Sequence, residues 1–224
     1  MSKTAKINFE KIDLPQSDTV VLFATKSAKL SALAKELGDK NNKFITNAIK
    51  IAGFKGNKSS ILEILSPADQ KFDRLIIVGT GDTKQLTIPD WRHIGGNLSA
   101  HLTKSKIETA TLICDEILGD DDDGEITANL AHGLVLRQYR FKKYQTKSNK
   151  EDEPTKLNPK KITIQSENHT TVKKLYTSQI VPLQHGVFAA RDLVNEPSNI
   201  LGPNEYAKRI KDLKSLGLEI EILT

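Results

Sequence analysis

Apolar and polar positions recur along this chain with two different periods, and the switches between them outline its organisation. Val20, Leu22 and Ala24 alternate in TVVLFATK, which predicts a strand. SAKLSALAKELG then carries helical spacing, with Gly38 expected as the residue just past the helix end. SSILEILSP reads as a second strand, and RLIIVGTGD is an apolar, β-branched run ending in glycines, the pattern of a strand buried on both faces. IPDWRHIGGNLSAHLTK is helical in spacing and TATLICDEIL is another buried strand. A helix is predicted from about Ile126 to Leu136, and KKITIQS alternates again as a strand.

Strands separated by helices of this length predict a layered α/β domain with a parallel or mixed sheet, here assigned to residues 1–172. From about Lys173 the period changes. Ile180, Leu183, Val187, Ala190 and Val194 share one helical face, which predicts a long linker helix over 173–196. Pro182 falls near its expected start, and Pro197 ends it by pushing the preceding residue out of the α region. Pro203 occupies the first position of a further helix, NEYAKRIKDLKSL, closed by Gly217, and LEIEIL then alternates as a strand. Residues 197–224 therefore read as the first elements of a second, truncated α/β domain.

Composition changes this picture little. Apolar residues make up 38% and charged residues 27%, the balance of an ordinary globular protein. A single cysteine, Cys114, excludes an intramolecular disulfide and a cysteine-based zinc cluster. No secretory h-region and no apolar run of membrane-spanning length occur, so the expectation is a cytoplasmic protein with no membrane partner. The net charge is +5, and residues 142–161, with seven lysines against three acids, supply +4 of it. That stretch is polar and contains prolines, as a solvated loop does.

Candidate chemistry is sparse. Gly79, Thr80 and Gly81 end a strand in a turn whose amides could approach a phosphate, but Lys84 stands where a dinucleotide fingerprint needs its third glycine. The competing reading is a tight strand-to-helix connection. Asp121, Asp123 and Gly124 fall on calcium-loop spacing, yet the twelfth position is Leu130 in place of the required glutamate. The five histidines form no zinc-type pair, and Asp82, Asp115 and Glu116 are too scattered for a two-metal hydrolase. No catalytic site assembles from these residues.

Two segments carry a resemblance. GLVLRQYRFKKYQTK, from Gly133 to Lys147, and ARDLVNEPSNILGP, from Ala190 to Pro203, resemble signature segments of the leucyl (cytosol) aminopeptidase family, the M17 metallopeptidases. The resemblance runs the length of the chain. It implies a macro-domain-like, three-layer N-terminal α/β domain, a linking helix, and a catalytic domain holding two divalent ions, manganese or zinc. It further implies homo-hexamers acting on peptide substrates. The family's metal and catalytic groups belong to motifs of the type VGKGxTFDSGG and NTDAEGRL, neither of which occurs here. No catalytic or metal residue is carried over, no metal is expected in this chain, and the chain itself is expected to be inactive as a peptidase. Arg191, Asp192, Asn195, Glu196 and Pro197 are then interdomain or structural residues, against a plainer reading as helix-end groups. Two other readings compete: a stand-alone binding module for ADP-ribose-like ligands at Gly79–Asp82, and DNA binding by the lysine-rich stretch.

Overall fold

A computed structural model of the chain describes residues 4–13, 18–39, 43–67, 70–119, 123–144 and 159–223. The low-complexity aspartates 120–122, including Asp121, and most of the lysine-rich stretch lie outside these residues. The chain divides into two compact units, Met1–Gln184 and His185–Thr224.

The first unit is built on a mixed sheet. Its strands are β1 (Lys6–Glu10), β2 (Thr19–Thr25), β3 (Lys29–Leu30), β4 (Ile61–Leu65), β5 (Arg74–Gly81), β6 (Thr109–Ile113) and β7 (Lys161–Gln165). They lie in the order β1-β7-β6-β2-β5-β4, with β3 on β2. The β1, β7, β6, β2 and β5 neighbours are parallel, and β4 runs antiparallel to β5 at the edge, with Ile61 opposite Val78. The helices are α1 (Ala32–Asp39), α2 (Phe44–Ala52), α3 (Ile88–Lys104), α4 (Glu125–Arg137) and α5 (His169–Leu175).

Both faces of the central strands are covered, so the expected three layers are present. Val20, Leu22 and Ala24 pack with Leu75 and Ile77 against Ala34 and Leu37 of α1 and Ile45 of α2. Val21 and Phe23 point the other way, into a core with Trp91, Leu98 and Leu134 from α3 and α4. The period-two reading of β2 thus saw one face of a strand buried on both. Each fully buried Val, Leu, Ile or Phe among them contributes about 1.5–3 kcal/mol.

The α3–α4 pair packs unusually close because glycines face backbone. A Cβ on Gly95 would lie 3.0 Å from the carbonyl carbon of Leu130, and one on Gly133 would lie 2.7 Å from that of Arg92. Helix α3 begins with a capping box in which the Asp90 carboxylate accepts from the Thr87 amide at 2.9 Å. Lys58 donates to the same carboxylate at 2.9 Å, and this contact, with the Thr87 bonds, holds its pKa well below the usual carboxylate range.

Several elements depart from the sequence expectations. Strand β1 and helix α2 had no recognised signal. Helix α1 runs through Gly38 to Asp39, a shift within the usual uncertainty of helix ends. The linker helix starts earlier than Lys173: α5, a π-helical turn (Tyr176–Ile180) and α6 (Val181–Asn195) follow one another without a break. Pro182 therefore sits inside helical backbone. It lacks an N–H, and in a regular helix its ring would clash with the carbonyl four residues earlier, that of Ser178, a clash which the widened π turn immediately before it relieves.

Within His185–Thr224, α6 gives way to a turn and then α7 (Pro203–Asp212), with Pro203 at its first position as expected. Gly217, at φ +86°, follows a short 3-10 turn. Residues 218–223 form no strand, which corrects the LEIEIL expectation. A strand needs a neighbour for its ladder, and none of the described strands pairs with this segment. The predicted apolar stripe also stays open: Ile180 is buried, while Leu183 and Val194 are exposed by 51% and 85%.

Candidate functional site

Two of the sequence-derived candidates are local structures whose geometry is now defined. The first is the segment at the end of α6. The helix stops at Asn195, two residues before Pro197, and the Asn195 side-chain amide donates to the Arg191 carbonyl at 2.7 Å, occupying an acceptor of the last turn. Ile200 and Leu201 both donate backbone N–H groups to the Pro197 carbonyl at 2.9 Å, which closes a tight turn before α7. Gly202, in extended conformation, is the N-cap.

Glu196 is the residue this turn repositions. Its carboxylate is almost wholly buried, at 3% side-chain exposure, and accepts from Arg209 Nη1 at 3.1 Å. Arg209 Nε donates to Glu205 one turn earlier on α7 at 3.0 Å. The Glu205 and Glu196 carboxylates together raise the guanidinium pKa above its usual value, so the group stays charged at every accessible pH. Glu196, Arg209 and Glu205 thus form a clamp between the residue after α6 and the middle of α7. The Glu205–Arg209 half follows i,i+4 spacing and could be read from the sequence. The Glu196 half depends on the turn and could not. Arg191 and Asp192 lie on the last turns of α6, partly exposed.

The second candidate is the glycine turn. Gly79, Thr80 and Gly81 belong to β5 itself, beside Ala24 and Thr25 of β2 across a register shift. Their amides face protein carbonyls: Gly79 N–H donates to Ser60 O and Gly81 N–H to Gly56 O, both at 2.8 Å. The Thr80 hydroxyl, fully buried, donates to Ala24 O at 3.3 Å. The glycines are required by the close passage of residues 56–60. A Cβ on Gly79 would lie 2.6 Å from the Gly56 carbonyl carbon, and Gly81 takes φ +77°. The loop after β5 does border an open hollow of about 340 Å³, at the carboxyl ends of β2, β5 and β6.

No group of three or more His, Cys, Asp or Glu side chains gathers among the described residues in a way that could hold a metal ion. No dinuclear centre is assembled by the described residues, and no step of hydrolysis is routed through them. No helix is long and apolar enough to cross a membrane among the residues described.

Comparison with known proteins agrees with the observed fold. Residues 20–148 match the family model described as the N-terminal domain of the cytosol aminopeptidase family. A probable cytosol aminopeptidase of Rhizobium etli is 37% identical over all of this chain and 44% of its own length. One from Rhizobium rhizogenes is 35% identical with the same coverage. Among solved structures, a mutant of tomato leucine aminopeptidase superposes with a TM-score of 0.74 over 96% of this chain and 43% of that one, at 19% identity, and so shares its fold. The bottromycin maturation enzyme BotP in complex with Mn superposes with a TM-score of 0.60 over 90% of this chain and 37% of its own. The chain spans less than half the length of the relatives it matches.

Proposed function

Because the chain belongs to the cytosol aminopeptidase family, we propose that it is the N-terminal, non-catalytic portion of a longer cytoplasmic exopeptidase that releases N-terminal amino acids from peptides. The observation that carries this reading is the alignment of the whole chain with 44% of relatives named cytosol aminopeptidases, together with a match to their N-terminal domain.

In this reading residues 1–172 form the N-terminal domain, 173–196 the linking helix, and 197–224 the first elements of the catalytic domain. A pair of divalent ions, manganese or zinc, would be held by residues outside this chain, and the whole protein would assemble as a homo-hexamer. The Mn complex of one structural neighbour is in keeping with such a metal. Arg191, Asp192, Asn195, Glu196 and Pro197 would act at the domain junction, with the Glu196–Arg209 contact fixing how α7 leaves the linker.

The test is a leucine p-nitroanilide assay with Mn²⁺ or Zn²⁺ added. Residues 1–224 alone are expected to give no turnover, and the same chain extended by the reading frame after Thr224 is expected to hydrolyse the substrate. Clear turnover by the short chain, or none by a folded, metal-loaded long chain, overturns the proposal.

A further inference from the structure

The carboxyl edge of the parallel strands holds a feature that the junction does not explain. From β2 the chain leaves toward β4 and β5, whereas from neighbouring β6 it leaves toward β7 on the other side. Diverging connections of this kind open a crevice above the strand ends, where open α/β sheets bind small ligands. Two hollows of about 400 and 340 Å³ occupy that place and share Glu116 and Gly119 in their walls. Their volumes lie in the range of small-molecule sites.

The two hollows differ in character. The 340 Å³ hollow is lined by three lysines, Lys26 just after β2, Lys29 of β3 and Lys84 after β5, together with Asp82 and Glu116. The 400 Å³ hollow is lined by three acids, Asp115, Glu116 and Glu167, and by the apolar Ile12, Leu33 and Leu118. Among the described residues, the ammonium groups of the three lysines and the Glu167 carboxylate enter no ion pair. Glu116, between the hollows, accepts from the Ala32 amide at 3.1 Å through one carboxylate oxygen. Asp115 is partly buried, and that burial raises its pKa despite hydrogen bonds from Ser31 and Ile117. The loop carrying Lys26 and Lys29 places two consecutive non-glycine residues, Ser27 and Ala28, in the left-handed region at φ +63° and +55°. Such strain persists only where surrounding structure enforces it, and it concentrates at ligand-binding loops.

We propose that this crevice binds a zwitterionic α-amino acid with an apolar side chain, or the corresponding ends of a short peptide. The carboxylate lies toward Lys26, Lys29 and Lys84. The ammonium lies toward Glu167 and Asp115, with the side chain on Ile12, Leu33 and Leu118. An anion alone would use the lysines and leave the acidic wall facing no cation, and a cation alone would do the reverse. A ligand that carries both charges satisfies both sets of groups. Released amino acids and peptides are the molecules an aminopeptidase works among, so the site would let the N-terminal unit sense substrate or product. That regulatory meaning rests on the proposed function, whereas the binding does not.

Isothermal titration of residues 1–224 tests the site directly, with L-leucine, leucyl-glycine, N-acetyl-leucine, leucinamide and inorganic phosphate as probes. Leucine or leucyl-glycine is expected to saturate one site per chain, and the tighter of the two assigns the source. Masking either end, as in N-acetyl-leucine or leucinamide, is expected to weaken binding about tenfold, as loss of a charged hydrogen bond does. Lys26→Ala with Lys29→Ala, and separately Glu167→Gln, should weaken it to a similar degree with circular dichroism unchanged. No saturation at about 10 mM leucine or leucyl-glycine, weaker than an affinity worth roughly 3 kcal/mol, overturns the proposal. So does equal binding of the masked analogues, or phosphate binding as tightly as leucine. None of these readouts uses turnover, so a failed peptidase assay and a failed titration are separate results.

Discussion

Replacing Gly95 by alanine probes the feature on which the sheet's helical cover depends. In an isolated helix the change would stabilise by about 1 kcal/mol, because glycine loses more backbone entropy than alanine. Here the added Cβ falls 3.0 Å from the carbonyl carbon of Leu130 and closer still to its oxygen, both backbone atoms of α4. Neither helix can retreat easily: α3 buries Trp91, Ile94, Leu98 and Leu102 against the sheet, and α4 is buried continuously from Thr127 to Val135. Forcing a methyl into a filled site of this kind costs about 1–3 kcal/mol. With backbone as the obstacle we take the upper end, which leaves a net loss of about 2 kcal/mol after the propensity gain. Gly96 is the internal control, since its Cβ would meet only Gly133 O, at an ordinary 3.7 Å. Urea unfolding of residues 1–224 followed by circular dichroism should show Gly95→Ala destabilised and Gly96→Ala unchanged or stabilised. If Gly95→Ala is as stable as the parent, or the two substitutions behave alike, the close helix approach does not constrain this fold.

Two further outcomes follow from groups already described. Tyr176 packs on Phe9 with ring centroids 5.1 Å apart, and burial pushes its phenol up to about 12. Below pH 10 the phenol is neutral folded and unfolded; between pH 10 and about 12 the unfolded chain ionises first, so stability is lost as pH rises, by roughly 2–3 kcal/mol in full. Tyr176→Phe should flatten that part of the pH profile of the urea midpoint, and superimposable profiles would refute the assignment. Arg209→Met should release both Glu196 and Glu205 and speed hydrogen exchange of the α7 amides, with Glu196→Gln intermediate because a neutral acceptor remains. Unchanged exchange in Arg209→Met would mean the clamp does not hold α7.

What could be read from the chain alone were the elements whose signal is local. Helix α3 spans the segment its spacing predicted, because the apolar stripe lies within it. Strands β5 and β6 were legible because a central parallel strand is apolar on both faces. Pro197 and Pro203 marked a helix stop and a helix start through their own fixed geometry.

The tertiary structure decided whatever depends on partners distant in sequence. KINFE is a strand because Lys6 to Glu10 lie in register with Lys161 to Gln165, and nothing near residue 6 announces that neighbour. LEIEIL has the alternation of a strand and is none, because periodicity supplies a face but not a ladder. The spacing of Gly79 and Gly81 left a phosphate turn open beside a tight strand-to-helix connection. Their amides are committed to the passing 56–60 segment, which only the folded chain brings alongside. The two hollows at the carboxyl ends of the strands belong to the same class of fact. Their lining residues run from Ile12 to Asn168 in the sequence, and only the folded sheet gathers them at one edge. Sequence fixes local conformation through short-range sterics and burial period, while long-range pairing determines which backbone groups and charges face one another.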